Sequence, residues 1–411
     1  MELVNKKYRI QGVEVKEICS EFGTPVYVYD ADVIERQVNS FKNAFGQLNC
    51  KIKYACKANT NLSILKEMLN HGTGLDTVSV PEINMGIMVG FAPEEIVFTP
   101  NSVNFSEIEE AVNLGVNINI ENISNLEKFG QKYGNSVPCF VRLNPGIHAQ
   151  MNSDKVDWWH KQSKFGISAD QLDKVKEIEK KYNLNIHGLH IHSSSVIMSP
   201  EIFIEGAKNI FNVVKQFKNI KYIDFGGGIK VDVGDDKEVI NLKALGKKLE
   251  PVFNDFCEEY ATDIQLWFEP GRFLICEAGT LFTACNIVKN SGQTSFVGTD
   301  SGFNQLIRPM FYNAYHEIVN TSNPNGKEKQ YTVVGNICEI DNFAVDRPLS
   351  EVNETDIIAI KTVGAYGYSM ASNYNSRYRP AEVLIKNGQA HLIRKRDSFD
   401  DLIKNQIIIN G

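Results

Sequence analysis

The chain has 411 residues, a length typical of two domains, and its apolar fraction of 43% supports a large core and excludes a disordered protein. Its net charge of −7 argues against a nucleic-acid surface and against a polybasic membrane patch. No apolar run approaches the roughly 18 residues of a membrane span, and the opening residues lack the apolar core of a signal peptide. We therefore expect a cytoplasmic protein without a nucleic-acid or membrane partner.

Eight cysteines are scattered along the chain, and no two of them form a CxxC pair. Disulfide frameworks belong mainly to small secreted chains, and zinc sites usually show paired ligands. We therefore predict free thiols, most of them buried, and no metal site.

Along the first two thirds of the chain, eight short apolar runs alternate with amphipathic segments that often begin with a capping residue and end with glycine. This alternation predicts a (β/α)8 barrel over residues 31–272, and an open doubly wound sheet is the alternative. The predicted strands cover residues 52–58, 74–78, 96–101, 117–122, 139–145, 186–194, 222–228 and 264–272.

After residue 272 the pattern changes to strand-like runs with few long helical segments between them. Asn387-Gly388 is a strong signal for a two-residue hairpin turn. We predict a mainly β C-terminal domain over residues 273–411. The strand-like residues 1–30 are expected to join it.

Polar residues and glycines gather where the predicted barrel strands end, which is where barrel enzymes carry their catalytic groups. Glycines after the seventh strand allow an anion to approach backbone N–H groups, and an arginine after the eighth adds a charged donor. These positions predict a phosphate site. The strand-end residues are Lys57, Asp76, Asn101, Asn122, Asn144, His192, Gly226, Gly227, Gly228, Glu269, Gly271 and Arg272.

A lysine, a phosphate site and a buried carboxylate together suggest pyridoxal 5'-phosphate as cofactor. A lysine binds this cofactor covalently, glycines and arginine hold its phosphate, and an acidic group keeps its ring nitrogen protonated. Lys57, at the end of the first predicted barrel strand, is our candidate for the cofactor lysine.

A set of motifs follows in a fixed order along the chain: YACKAN, SKFG, GLHIH, DFGGG, EPGR, DSGFNQLIRPMFYNAYH, GNICEIDNFAVDRPL and GAYGYSMASNYNSR. By these motifs the chain resembles the diaminopimelate decarboxylases, which belong to the fold-type III pyridoxal phosphate decarboxylases. The resemblance implies an alanine-racemase-like barrel followed by a β domain, a homodimer with shared active sites, and conversion of meso-diaminopimelate to L-lysine and carbon dioxide, the last step of lysine biosynthesis.

The resemblance also implies roles for the residues around the cofactor. His192 would stack on the ring, Glu269 would face the ring nitrogen, and Asp76 would orient Lys57. His190 shares a face with His192, and it is either a core histidine or a second site residue. The other residues implied to hold the cofactor are Ser195, Gly227, Gly228, Gly271, Arg272 and Tyr366.

Further residues are implied to act on the substrate. Cys338 of the neighbouring subunit would return a proton after carbon dioxide leaves, and Glu339 beside it would meet the distal amino group. Arg308 and Tyr312, which lie near each other if RPMFY is helical, would hold the distal carboxylate. Arg272 and Tyr366 would also contact substrate.

Two stretches depart from the family pattern. The sequence HSSSV has Ser194 where the family usually has glycine, and Trp158-Trp159 occupy the place of a Thr-Gly pair. A relative that acts on carboxynorspermidine or on a D-amino acid therefore stays as an alternative. An inactive regulatory homologue is disfavoured because Lys57 and Cys338 are both present.

Overall fold

A computed structural model describes residues 1–144, 164–192, 199–234, 239–260 and 262–409. The contacts divide the chain into two compact units. One comprises Val38–Lys230 and Glu238–Phe273, and the other comprises Met1–Gln37, Val231–Lys237 and Leu274–Gly411. Within the described residues, no helix has the length and apolar character needed to cross a bilayer.

The N-terminal residues form a small antiparallel sheet of three strands, β1 (Glu2–Val4), β2 (Lys7–Ile10) and β3 (Val13–Glu14). Helix α1 (Val15–Phe22), strand β4 (Val26–Asp30) and helix α2 (Ala31–Ala44) follow. All five residues of β4 are buried, as expected for a strand in the middle of a sheet.

Eight parallel strands then close into a barrel, which confirms the predicted fold and rules out the open sheet. Each strand pairs with the next along the chain, and the last pairs with the first, so no edge is left. The strands are β5 (Cys50–Ala55), β6 (Gly74–Thr77), β7 (Ile96–Phe98), β8 (Asn117–Ile120), β9 (Cys139–Asn144), β11 (Ile186–Ile191), β12 (Tyr222–Asp224) and β13 (Gln265–Phe268), with the short β10 (Ile167–Ser168) beside β9.

Helices connect the barrel strands, and side-chain caps begin several of them. Asn61 Oδ1 accepts a hydrogen bond from the Ser63 N–H, and Asn122 Oδ1 accepts one from the Asn125 N–H. Asn104, which precedes α5, makes no such bond. The helices are α3 (Leu62–Asn70), α4 (Val80–Val89), α5 (Phe105–Asn113), α6 (Ile123–Tyr133), α7 (Leu172–Tyr182), α8 (Pro200–Val214), α9 (Leu242–Tyr260) and the short α10 (Arg272–Ile275).

The unit that comprises Met1–Gln37, Val231–Lys237 and Leu274–Gly411 is called the C-terminal unit, and it is built around a second large sheet. Its main strand order is β18-β17-β15-β14-β4-β20-β21, with β19 paired to β14 and β16 paired to β19. Strand β4 lies between β14 and β20, so N-terminal residues belong to this sheet. The elements are β14 (Gly279–Ser291), β15 (Thr294–Thr299), α11 (Arg308–Tyr312), β16 (Ile318–Asn320), β17 (Glu328–Val334), β18 (Asn342–Ser350), β19 (Ile357–Ile360), β20 (Ala381–Lys386), β21 (Gln389–Arg394) and α12 (Phe399–Ile403).

The predicted hairpin joins β20 to β21. Lys386 pairs with Gln389 across the two-residue turn, and Asn387 and Gly388 have φ values of 52° and 71°. Two successive positive φ values define a type I′ turn, which asparagine and glycine adopt readily.

Candidate active site

Lys57 lies directly beyond the end of β5, in a single turn of 3-10 helix, Cys56–Ala58. Its Nζ is 2.9 Å from Oδ2 of Asp76, which is on the neighbouring strand β6. The Asp76 side chain is fully buried, whereas that of Lys57 is 39% exposed. Burial, and then the charge of Glu269, raise the pKa of Asp76, and the Lys57 ammonium opposes that rise. The buried Asp76 carboxylate therefore fixes the Lys57 amine, which a ligand can still reach.

Lys53, four residues earlier on β5, has a different environment. Its side chain is fully buried, and its Nζ lies 2.9 Å from Oε2 of Glu95 and 4.2 Å from the ring centre of Trp267. It also donates to the Glu95 carbonyl oxygen at 3.0 Å. The Lys53 ammonium is thus enclosed by protein, whereas the Lys57 side chain, beyond the C-terminal end of the strand, is accessible to a ligand.

Three buried polar residues lie side by side on adjacent barrel strands. Arg142 on β9 is in register with His190 on β11, and His190 is in register with Asp224 on β12. His190 Nε2 lies 3.2 Å from Oε2 of Glu269, which follows β13. His190 is 1% exposed and Glu269 is 4% exposed. His190 is therefore a direct partner of the predicted ring-nitrogen acid.

Asp224 and Glu269 are neighbouring buried carboxyl groups with opposite pKa shifts. Burial, and then the charge of Glu269, raise the pKa of Asp224 well above its ordinary value. Burial alone would raise the pKa of Glu269 as well, but His190 and Lys57 outweigh it and lower that pKa. Two adjacent carboxylates do not both ionise in a buried site. Asp224 is thus the neutral member of the pair, and Glu269 is the charged one.

Arg142 supplies a buried positive charge to the same set of acids. Burial lowers the pKa of its guanidinium, and the charges of Glu269, Glu121 and Asp76 raise it. The guanidinium lies 4.8 Å from the ring centre of Phe165, in the SKFG motif. Arg142 therefore balances part of the negative charge that the barrel interior holds.

The turn after β12 is held by hydrogen bonds to site residues. The Gly226 N–H donates to Asp224 Oδ1 at 2.8 Å, and the Glu269 N–H donates to the Gly226 carbonyl at 2.8 Å. Gly226 has a φ of 65°, and a Cβ there would lie 2.3 Å from His192 Nδ1. A Cβ on Gly227 would lie 2.6 Å from the Glu269 carbonyl oxygen. Only glycine fits both positions.

His192 is a neutral ring with a defined tautomer. The Gly227 N–H donates to its Nδ1 at 3.2 Å, so the ring proton is on Nε2. Burial, and then the charges of Lys57 and Arg142, lower the pKa of His192 to about 3. A neutral imidazole is the form that suits the predicted stacking on a pyridine ring. The Gly227 N–H is engaged here, so Gly228, with a φ of 98°, is the better candidate for an N–H bond to phosphate.

The barrel site fits pyridoxal phosphate on several counts. Glu269 Oε1 is buried without a hydrogen-bond partner in the described part of the chain, and a protonated ring nitrogen would supply a donor. A Cβ on Gly271 would lie 3.0 Å from the Cβ of Ala55 and 3.1 Å from that of Ala58. Small residues therefore let the EPGR turn pack against the segment that carries Lys57. Arg272 starts α10 directly after that turn.

Within the C-terminal unit, three predicted substrate residues lie together. Arg308, the first residue of α11, is 8% exposed. Its guanidinium carbon lies 5.3 Å from the ring centre of Tyr312 and 5.8 Å from that of Tyr366. Tyr366 has a φ of 59°, which is uncommon for a bulky residue and typical of functional sites. The cluster presents a guanidinium flanked by two phenols.

Cys338 and Glu339 lie in the same unit, on the loop between β17 and β18, and both are exposed. The Cys338 N–H donates to Asn375 Oδ1 at 2.9 Å, and the Tyr374 hydroxyl donates to Glu339 Oε1 at 3.0 Å. The other seven cysteines are buried or half-buried, and none is bonded to another. Cys338 is therefore the exposed thiol of the chain.

Some predicted residues lie outside the described residues, and some site residues were not predicted. Ser194, Ser195 and the Trp158-Trp159 pair lie outside the described residues. Arg142 and Asp224 lie at the candidate site but were not predicted, and the sequence left the role of His190 open. A usable signal existed: each is a polar residue inside an apolar run, in CFVRLN, YIDFGGG and GLHIH. Buried polar residues at matching strand positions indicate a shared interior site.

Comparisons with known proteins agree with this geometry. Residues 31–276 match the family model for the pyridoxal binding domain of pyridoxal-dependent decarboxylases. The diaminopimelate decarboxylase of Methanothermobacter thermautotrophicus is 34% identical over 407 residues, which cover 97% of this chain and 95% of that protein.

Two solved structures are also similar. That of diaminopimelate decarboxylase from M. jannaschii in complex with L-lysine has a TM-score of 0.93 and 30% identity, and the match covers 99% of this chain and 98% of that one. That of the Helicobacter pylori diaminopimelate decarboxylase, also with L-lysine, has a TM-score of 0.84 and 32% identity, over 95% of this chain and 98% of that one. The chain therefore belongs to the pyridoxal-dependent decarboxylases, within the diaminopimelate decarboxylase family.

Proposed function

We propose that this protein is a cytoplasmic carboxy-lyase that converts meso-diaminopimelate to L-lysine and carbon dioxide with pyridoxal phosphate. The observation that carries the substrate proposal is Arg308, buried beside Tyr312 and Tyr366. A precursor of a simple diamine, such as lysine or ornithine, has no distal carboxylate that would need this guanidinium. An arginine is the side chain best suited to bind a carboxylate through two parallel hydrogen bonds.

The barrel residues would hold the cofactor. When bound, pyridoxal phosphate withdraws electrons from the substrate α-carbon and so eases loss of the carboxylate. Lys57 would bind it covalently, and Asp76 would orient the Lys57 amine. Glu269 would accept a hydrogen bond from the protonated ring nitrogen. Neutral His192 would lie against the ring. Gly227, Gly228 and Arg272 are the predicted phosphate contacts, and Gly228 is the better of the two glycines because the Gly227 N–H donates to His192. Ser195 and Gly271 would help to hold the cofactor.

Residues of the C-terminal unit would bind and orient the rest of the substrate. Arg308 and Tyr312 would hold the distal carboxylate, and Glu339 would accept hydrogen bonds from the distal ammonium. Fixing that end aligns the α-carboxylate for loss, because orientation decides which bond breaks. The Cys338 thiol would return a proton to the α-carbon. Tyr366 would contact both cofactor and substrate, and Lys57 would then release the product.

The active form is proposed to be a homodimer in which Cys338 and Glu339 serve the site of the partner subunit. Their exposure, together with the 82% exposed Ile340 beside them, supports an interface at this loop. Sedimentation equilibrium of the cofactor-loaded protein should give twice the 46.2 kDa of one chain. A single chain mass at enzymatically active concentrations would refute the dimer.

The test of the proposed function is production of lysine and carbon dioxide from meso-diaminopimelate by purified, cofactor-loaded protein, with Lys57→Ala as the blank. We expect lysine from the wild type and none from the variant. Carboxynorspermidine, D-amino acids, ornithine and lysine are assayed in parallel. Turnover of one of these compounds, with no turnover of meso-diaminopimelate, would support the proposed decarboxylase activity and refute the proposed substrate.

A further inference from the structure

One turn of the C-terminal unit contacts the Cys338–Glu339 loop at three points. The Tyr374 hydroxyl donates to Glu339 Oε1 at 3.0 Å, and Asn375 Oδ1 accepts the Cys338 N–H at 2.9 Å. Nη2 of Arg377 donates to the Asn336 carbonyl oxygen at 3.1 Å. We call residues 374–377 the buttress turn. It is joined to the main chain at Asn336 and Cys338 and to the Glu339 side chain.

The buttress turn has a defined shape that fixes Tyr374. Asn375 and Ser376 have φ values of 55° and 53°, a region that residues other than glycine enter mainly where the surrounding structure requires it. The ring of Tyr374 is stacked on that of Phe303, with centres 5.7 Å apart and planes at 19°. The Phe303 N–H in turn donates to the buried Asp341 at 2.6 Å. The stacking on Phe303 therefore restrains the ring of Tyr374 and, with it, the position of the hydroxyl.

The hydrogen bond to Glu339 has a clear direction. A phenol carries one proton and a carboxylate carries none, so Tyr374 donates and Oε1 accepts. The bond to Glu339, and then the charge of that carboxylate, raise the pKa of Tyr374, so the phenol keeps its proton at neutral pH. With Oε1 engaged by Tyr374, we assign Oε2 of Glu339 to the ammonium of the substrate.

We infer that Tyr374 is a positioning residue that selects substrates with a distal ammonium group by orienting the Glu339 carboxylate. Glu339 alone is an exposed carboxylate on a long side chain with many rotamers. Fixing one oxygen by a hydrogen bond and the loop by the Asn375 contact reduces the freedom lost when an ammonium binds. The inference rests on the proposed function, and it assigns Tyr374 a part in substrate choice.

The test compares two ligands that differ only in the distal amino group. One is meso-diaminopimelate, measured as kcat/KM, and the other is 2-aminopimelate, measured as a competitive inhibitor through its inhibition constant. For holoenzyme Tyr374→Phe, which keeps the ring stacking, we expect kcat/KM to fall about tenfold, the typical value of a hydrogen bond to a charged group. The inhibition constant of 2-aminopimelate should stay at the wild-type value.

Two further variants separate the possible failures. Glu339→Gln should show the same pattern as Tyr374→Phe, and the double variant should be no worse than the worse single one, because the two residues act as one unit. Tyr378→Phe, another half-exposed tyrosine four residues on, should equal wild type. If Tyr374→Phe weakens both ligands equally, or neither, while Glu339→Gln is selective, the inference is overturned and the proposed function stands. A wild type that makes no lysine refutes the proposed function, and with it this inference.

Discussion

The two units carry their functional residues in different ways. In the barrel, these residues lie at the ends of paired strands or just beyond them, most are buried, and acids and bases are matched, as in Lys57–Asp76 and His190–Glu269. In the C-terminal unit, Cys338, Glu339 and Tyr374 are on loops and turns and are exposed. A closed sheet holds the residues proposed for the cofactor in fixed positions, whereas loops are the parts that vary most readily between relatives. The cofactor side should therefore tolerate little change, and the substrate side should determine specificity.

The largest effect should come from the barrel. Lys57→Ala removes the proposed covalent attachment of the cofactor, so we expect activity to fall about 1,000-fold or more and the absorbance band of the attached cofactor to disappear. The matched control is Lys66→Ala, which alters an exposed lysine on α3 that donates to the Val89 carbonyl. Retention of the band and of activity in Lys57→Ala would move the cofactor to another lysine.

A change on the substrate side should be smaller and should spare the cofactor. Arg308→Ala removes the buried guanidinium proposed for the distal carboxylate, and loss of such a charge contact typically lowers kcat/KM about 100-fold. The cofactor dissociation constant, measured by absorbance titration, should stay within the wild-type range. An equal loss of cofactor binding and turnover would place Arg308 outside substrate recognition.

The protonation state of Asp224 predicts how two substitutions at this barrel residue change cofactor binding. Burial, and then the charge of Glu269, raise the pKa of Asp224 well above its ordinary value and so favour its neutral form. Asp224→Asn, an uncharged isostere, should therefore bind the cofactor within about threefold of wild type. Asp224→Leu loses the bond to the Gly226 N–H and should weaken cofactor binding about tenfold. If Asp224→Asn is as damaging as Asp224→Leu, the native group is a carboxylate and the charge assignment is wrong.

The smallest effect concerns stability in the C-terminal unit. Burial raises the pKa of Asp341 from its ordinary 3.8 to about 6, so the folded protein favours the protonated acid. The stability from this group is fully present below pH 3.8 and is lost as the pH rises through 6. Relative to Asp341→Asn, the wild-type Tm should therefore fall by about 2 to 4 °C between pH 4 and pH 7. Asp173→Asn, at a side chain 96% exposed, should show no such trend.

Sequence patterns predict the barrel well because burial imposes them locally. All eight predicted strand runs overlap an observed barrel strand, and the Asn387-Gly388 turn forms as predicted. Strand ends then indicate the positions of Lys57, Asp76 and Glu269, since parallel strands end at one edge. Arg142 and Asp224 were not predicted because each lies inside an apolar run. Only the pairing of strands that are distant in sequence shows that both lie beside His190.

The loops of the C-terminal unit were less predictable for a different reason. The resemblance implied Cys338 and Glu339, but it gave no partner for either residue. Tyr374 and Asn375 lie 35 and 37 residues from their partners in sequence, and their contacts depend on two residues with positive φ. No periodic pattern encodes such a turn. Roles that rest on these loops therefore need tests of function more than tests of fold.

The proposal of a homodimer with shared active sites is tested most directly by mixing two inactive variants. Lys57→Ala and Cys338→Ala are unfolded and refolded together with cofactor, and lysine formation is measured. Shared sites predict recovery of about a quarter of wild-type activity, because half of the randomly mixed dimers carry one intact site. Mixtures no more active than either variant alone, while refolded wild type regains activity, would contradict the proposal.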